Sequence, residues 1–301
     1  MSGRGGEGDT SSGRLPSPFV VGVGRSGTTL LRLMLDAHPE LTIPPETGFV
    51  PQLIETARGG EASVDELLAV ITGHWRWKDF GLESEQLRAR FEAARSLRPA
   101  PVLRRFYELY AEHQGKPRWG DKTPGYAKHM PEITRVLDEA RFIHIIRDGR
   151  DVALSRVNTL SMKPITLEQA ARLWRRWIRQ ARRQGARIEH YAEVRYEELI
   201  AEPESVLRGL CEGLHLDFDP AMLDYHARSA ERLSELAHDV PSRNDKPVRP
   251  AAERLAKHEA TSRPPDAAMV AKWRTRMEPA DQELFLAAAG DMLDELGYPR
   301  S

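Results

Sequence analysis

The sequence predicts an α/β fold of three layers, a central parallel sheet flanked by helices. Two apolar runs, residues 19–23 and 142–146, carry the first part of that expectation: both are short and continuous rather than alternating, as strands covered on both faces are. Each run leads straight into a turn and then a helical pattern, and strands that alternate with helices build parallel sheets. The chain has 301 residues without internal repeats, enough for one large domain with a substantial core.

In chain order, residues 1–17 are rich in Gly, Ser and charge and bury too little apolar surface to offset ordering. They are expected to form a disordered tail ahead of a domain spanning 18–301. Residues 19–23 make the first strand and 28–37 the helix after it, closed by His38-Pro39. Leu41-Thr42-Ile43 reads as a second short strand before Pro44-Pro45-Glu46-Thr47. Apolar residues at three and four spacing around 64–68 and 102–107 make the stretch 64–110 helical, with Pro99 and Pro101 separating the helices. Residues 118–124 read as a strand and turn, and 141–147 as the second core strand, running into Asp148-Gly149-Arg150-Asp151 and a helix. The stretch 166–184 is a long helix opened by a capping box, Thr166 as N-cap and Gln169 three residues on, with Trp174 and Trp177 on its core face. Residues 193–196 are a third strand, followed by a helix over 204–214. Beyond Asp219 the chain is helical, with a proline-rich, charged and mobile stretch from Val240 to Ala268.

Lys plus Arg total 44 against 45 Asp plus Glu, so no global field draws the chain to nucleic acid or to a membrane, and any anion site is local. Cys211 is the only cysteine, which leaves no internal disulfide framework and no cysteine zinc cluster, and fits a reducing, cytoplasmic location. No apolar run approaches the roughly 20 residues of a bilayer-spanning helix, and residues 1–18 lack the hydrophobic stretch of a signal peptide. The histidines show no metal spacing: His258-Glu259 has no second ligand.

The first strand opens onto Gly22-Val23-Gly24-Arg25-Ser26-Gly27-Thr28-Thr29, a glycine-punctuated turn at a helix start. Glycine lets the backbone come close to an anion, and the first amides of a helix have no internal acceptors, so the turn is a phosphate cradle. Measured against G-x-x-x-x-G-K-[ST], Gly22 and Gly27 are correctly spaced but Thr28 stands where the lysine belongs. Such a P-loop-like turn holds an anion without the usual ATP machinery. A second cradle begins at Arg147, at the carboxyl end of the strand 142–146, where ligands of parallel sheets sit. The planar arginine fork donates paired, charge-assisted hydrogen bonds to phosphate. Ser155 lies about two turns along the next helix and can return a hydroxyl toward the strand end.

Arg25-Ser26-Gly27-Thr28-Thr29-Leu30, with Arg32 and the His38-Pro39 that closes the helix, resembles the 5′-phosphosulfate loop of sulfotransferases that use PAPS (3′-phosphoadenosine 5′-phosphosulfate), and most closely that of tyrosylprotein sulfotransferases. Arg147-Asp148-Gly149-Arg150 with Ser155 is similar to the 3′-phosphate site of the same enzymes. The resemblance spans about residues 18–275. It implies a P-loop-like fold and a donor site of Arg25, Ser26, Gly27, Thr28, Thr29, Arg147 and Ser155, with Tyr196 beside the nucleotide and Ser262 and Lys272 in the stretch that closes over it. It implies Glu46 as the base that takes the acceptor's proton, and Lys122 and Arg25 as cations that offset charge on the transferred group, with no metal required. Two departures are visible: Gly48 stands where the tyrosylprotein enzymes carry an arginine on the acceptor side, and Thr159 replaces a basic residue of the nucleotide site. His38, His129 and His144 are available to a histidine base, but none lies in the motif of the small-molecule enzymes that use one. The expected reaction is sulfuryl transfer from PAPS to a hydroxyl or phenol on a small molecule or peptide. Nucleic acid and membrane are not expected partners, and a homodimer is allowed. A P-loop kinase without the Walker lysine and a catalytically silent nucleotide-binding protein are the alternatives.

Overall fold

The computed structural model describes residues 13–159, 164–240, 248–256 and 258–300. β1 (Ser17–Gly22) leads into α1 (Thr28–Asp36) and β2 (Leu41–Thr42). Four helices follow, α2 (Val50–Thr56), α3 (Val64–Thr72), α4 (Ser84–Glu92) and α5 (Pro99–His113). The chain then makes β3 (Arg118–Trp119), β4 (Asp121–Lys122), α6 (Met130–Val136), β5 (Ala140–Ile146), α7 (Gly149–Val157), α8 (Leu167–Gly185) and β6 (Tyr191–Arg195). The last elements are helical: α9 (Tyr196–Ala201), α10 (Pro203–Gly213), α11 (His226–Ser234), α12 (Ala251–Ala256), α13 (Trp273–Arg276) and α14 (Pro279–Glu295).

The central sheet runs β4-β1-β5-β6 and every pairing in it is parallel, with Val20 opposite both Lys122 and Ile143, and Ile145 opposite Val194. Side chains alternate across it. Phe19, Val21 and Phe142 face a core built with α2 to α6, while Val20, Ile143 and Ile145 face α1, α9 and α10. A third core, around Ile146, Trp174 and Phe285, joins α7, α8 and α14. The parallel order puts Gly22, Lys122, Ile146 and Arg195 along one edge of the sheet, its carboxyl edge.

The expected strands and long helix are present, including the capping box of Thr166 and Gln169 and the fully buried Trp174. β1 begins at Ser17, two residues earlier than expected. The expected disorder of residues 1–12 lies outside the described residues, as do 241–247 and 257 of the stretch expected to be mobile; the rest of that stretch includes α12. Pro99 and Pro101 do not separate helices. They occupy the first turn of α5, where a missing N–H costs nothing. Residues 118–124 form not one strand but two in different sheets, since β3 pairs with β2 while β4 joins β1. Gly120 marks the switch, and a Cβ there would lie 2.7 Å from the Pro18 side chain.

Candidate active site

The first cradle is set by backbone conformation. Arg25 has φ 77° and Gly27 φ 97°, so two residues of the turn adopt the left-handed region that side chains disfavour. Gly27 is also the N-cap of α1, and a Cβ on it would meet the Tyr196 ring at 2.4 Å. No side chain caps α1, so its first amides face the cavity above the sheet edge. Ser26 is completely buried and its Oγ has no hydrogen-bond partner among the described residues. These features fit a phosphate-like group at this turn.

Arg147 leaves the end of β5 and is held from several directions. Its guanidinium lies over the Tyr196 ring at 4.4 Å, donates to the Met269 carbonyl at 2.7 Å and pairs with Asp151 at 3.2 Å. Arg25 donates from Nε to Ser155 Oγ at 2.9 Å, which joins the loop to α7 as the helix spacing predicts. Burial and the neighbouring Arg147 both lower the Arg25 pKa, the sign of two like charges kept close in a poorly solvated place. Arg150 does not join them. It is buried under Trp273, pairs with Asp148 at 2.8 Å and donates to the carbonyls of Pro299 and Arg300.

These groups line a cavity of about 690 Å³ with Thr28, Thr29, Tyr225, His258, Thr261 and Lys272. Burial, then Arg276 and Arg147, lower the Lys272 pKa.

The Glu46 carboxylate is positioned by its neighbour in sequence. Thr47 donates from its hydroxyl to Asp121 at 2.7 Å and from its amide to Thr123 Oγ1 at 3.1 Å, and Tyr126 bonds the same hydroxyl. β4 carries Asp121 and Lys122, so this anchoring brings Glu46 against Lys122, Oε1 to Nζ 2.9 Å. Arg76 holds the other oxygen at 2.9 Å. Burial raises the Glu46 pKa, but Arg76 and Lys122 together outweigh it and hold the carboxyl well below the usual range. Burial lowers the Lys122 pKa against the pull of Glu46. Asp121, fully buried beneath the pair, is pushed up to about 6 by burial against its hydrogen bonds.

A sequence profile of the sulfotransferase family matches residues 16–220. The chain belongs to that family. Its relatives include a protein-tyrosine sulfotransferase of Drosophila melanogaster, 25% identical over 302 residues, and protein-tyrosine sulfotransferase 1 of Danio rerio, 24% identical over 291. Each comparison covers 94% of this chain, which spans 52% of the fly protein and 72% of the fish one. Two solved sulfotransferase domains share the fold along nearly their whole length. One is from the Synechococcus PCC 7002 olefin synthase, with TM-score 0.60, 24% identity and coverage of 98% of this chain and 99% of that one. The other is from the curacin biosynthetic pathway, with TM-score 0.61, 21% identity and coverage of 95% and 99%.

In this member of the family most residues singled out by sequence converge, and some need correction. Ser262 is exposed and stays out of the cavity wall, where Thr261 stands instead; successive side chains on a 3₁₀ turn point about 120° apart. Ser26 lies buried beneath the loop rather than in the wall. His38 and His144 are structural, bonded to the Asp217 carbonyl and the Tyr191 hydroxyl. Sequence reasoning passed over Arg76 and His258. An arginine at position 48 would be strained, since the backbone is left-handed there (φ 64°) and a Cβ would meet the His74 ring at 2.9 Å; Arg76, from the turn after α3, supplies a cation beside Glu46. Among the described residues no group of His, Cys, Asp and Glu has metal-binding geometry, and no helix is long and apolar enough to cross a membrane.

Proposed function

We propose that this sulfotransferase moves a sulfuryl group from PAPS to the hydroxyl or phenol of a small molecule or peptide. The observation that carries the reading is the convergence of Arg25, Arg147 and the uncapped start of α1 on one cavity, with threonine rather than lysine at position 28. A nucleotide carrying phosphate at both ends needs two cradles, and the loop and the end of β5, which adjoin at the carboxyl edge of the sheet, are such a pair. PAPS supplies the activated sulfuryl group. The chain's own residues do the rest. Arg25 and the α1 amides hold the 5′ end, Arg147 the 3′ end, and Tyr196 packs beneath Arg147. Glu46 is ionised throughout the physiological range, so it is in the form that can take the acceptor's proton during attack. Lys122 and Arg76 orient that carboxylate, and Lys122 adds positive charge near the transferred group. A cytoplasmic location rests on composition alone, the lone and buried Cys211.

The test is thermal shift and turnover. PAP, the desulfated nucleotide, is expected to raise Tm by mass action and ATP with Mg²⁺ to do so much less. Equal shifts would favour a kinase site, and PAP binding without turnover on any acceptor would favour a silent binding protein.

A further inference from the structure

Asp79 is wholly buried on the short 3₁₀ turn Trp77–Phe80, far in sequence from every motif, yet it is surrounded by cations. Arg76 splits its guanidinium: Nη1 pairs with Asp79 at 3.2 Å and Nη2 holds Glu46 at 2.9 Å. The same oxygen, Asp79 Oδ2, accepts from both Arg76 Nη1 and Arg254 Nη2, the latter at 2.6 Å, and His238 Nε2 lies 2.9 Å from Oδ1 in ion-pair range but not aligned for a hydrogen bond. Arg254 belongs to α12 and also donates to the His238 carbonyl. The chain that follows α12 supplies His258, Thr261 and the residues from Arg263 to Lys272 that wall the cavity. One buried carboxylate therefore touches both the arginine that orients Glu46 and the helix that leads into the donor-side wall.

We propose that Asp79 is a shared positioning residue, one buried carboxylate that fixes both the acceptor-side Glu46, through Arg76, and the donor-side wall, through Arg254. The proposal rests on the sulfuryl-transfer reading above. A carboxylate with no water around it holds its partners at fixed angles, because breaking either pair leaves an uncompensated buried charge. Arg76 thereby stays aimed at Glu46, and α12 stays docked so that the wall behind it closes over the nucleotide.

The test uses three variants of the full chain, Asp79→Asn, Arg76→Gln and Arg254→Gln, each measured for kcat at saturating donor and for PAP affinity. Cutting the acceptor arm alone with Arg76→Gln lowers kcat about tenfold and leaves PAP affinity within threefold, as expected for a group acting in the transition state. Cutting the wall arm alone with Arg254→Gln weakens PAP about tenfold with kcat within threefold, and Asp79→Asn does both. Combining Asp79→Asn with either arginine variant adds little further, since residues of one network are not additive. A merely structural Asp79 would lower Tm while leaving kcat and PAP affinity alone, and that result, or additive double variants, overturns the proposal. Should Asp79→Asn fail to fold, the two arginine variants decide: an Arg76→Gln protein that keeps its kcat, or an Arg254→Gln protein that keeps its PAP affinity, overturns it. Wild-type protein with no PAP shift and no turnover would instead sink the underlying reading.

Discussion

On the proposed donor side, Arg147 stands close enough to disfavour the charge on Arg25; on the proposed acceptor side, Lys122 and Arg76 share the two oxygens of Glu46. The first arrangement gains when anionic groups arrive beside its cations. The second is neutralised from within and is already in place before any acceptor comes. Changes on the donor side should therefore appear as lost nucleotide affinity, and changes on the acceptor side as lost turnover.

The largest effect tests the acceptor half. Glu46→Gln keeps shape and donor affinity while kcat falls by roughly 10²-fold or more, the usual contribution of a positioned base. Turnover within a few-fold of wild type would remove Glu46 from proton transfer. A smaller effect tests the donor half: Arg147→Ala costs about 2 kcal/mol in PAP binding, as when charge-assisted bonds are lost, and much less for adenosine 5′-phosphosulfate, which has no 3′-phosphate. Isothermal titration with both ligands reads the difference, and equal losses would erase the distinction between the two cradles.

The smallest effect concerns His258, which lies between the halves. Burial, then Lys122, lower its pKa to about 3 against the pull of Glu46. The folded value is below the unfolded one, so the unfolded chain binds the proton more readily. The stability His258 contributes is thus complete above about pH 6.5 and is lost as pH falls toward 3. His258→Gln should flatten the dependence of Tm on pH in that window. A slope unchanged by the substitution would mean the ring is better solvated than its surroundings imply.

The two halves also differ in how far the sequence reveals them. The donor cradle is legible because strand, turn and helix start are contiguous, so the spacing of Gly22, Gly27 and Arg147 relative to their strands is itself the geometry. Glu46 and Lys122 could be found only by resemblance, since 76 residues separate them and Thr47, Asp121 and Tyr126 do the joining. Arg76, Asp79 and His258 were hidden because nothing local marks them; each acquires its role from a partner at least 30 residues away. α2 has no counterpart among the expected elements, and Pro51 does not oppose it, because proline suits a first helical turn. The split at Gly120 likewise depends on Pro18 crowding it from a distant strand.

The contacts of Arg150 and its neighbours give the donor side a place in time as well as in space. Arg150 is held by carbonyls 149 and 150 residues later, and Arg147 by one 122 residues later. Closing loops of that size is slow compared with forming a local turn or helix. The phosphate-binding turn can take shape early, from the chain around it. On the proposed reading, recognition of a whole nucleotide needs the far end of the polypeptide in place, and PAP affinity is expected to appear late in refolding.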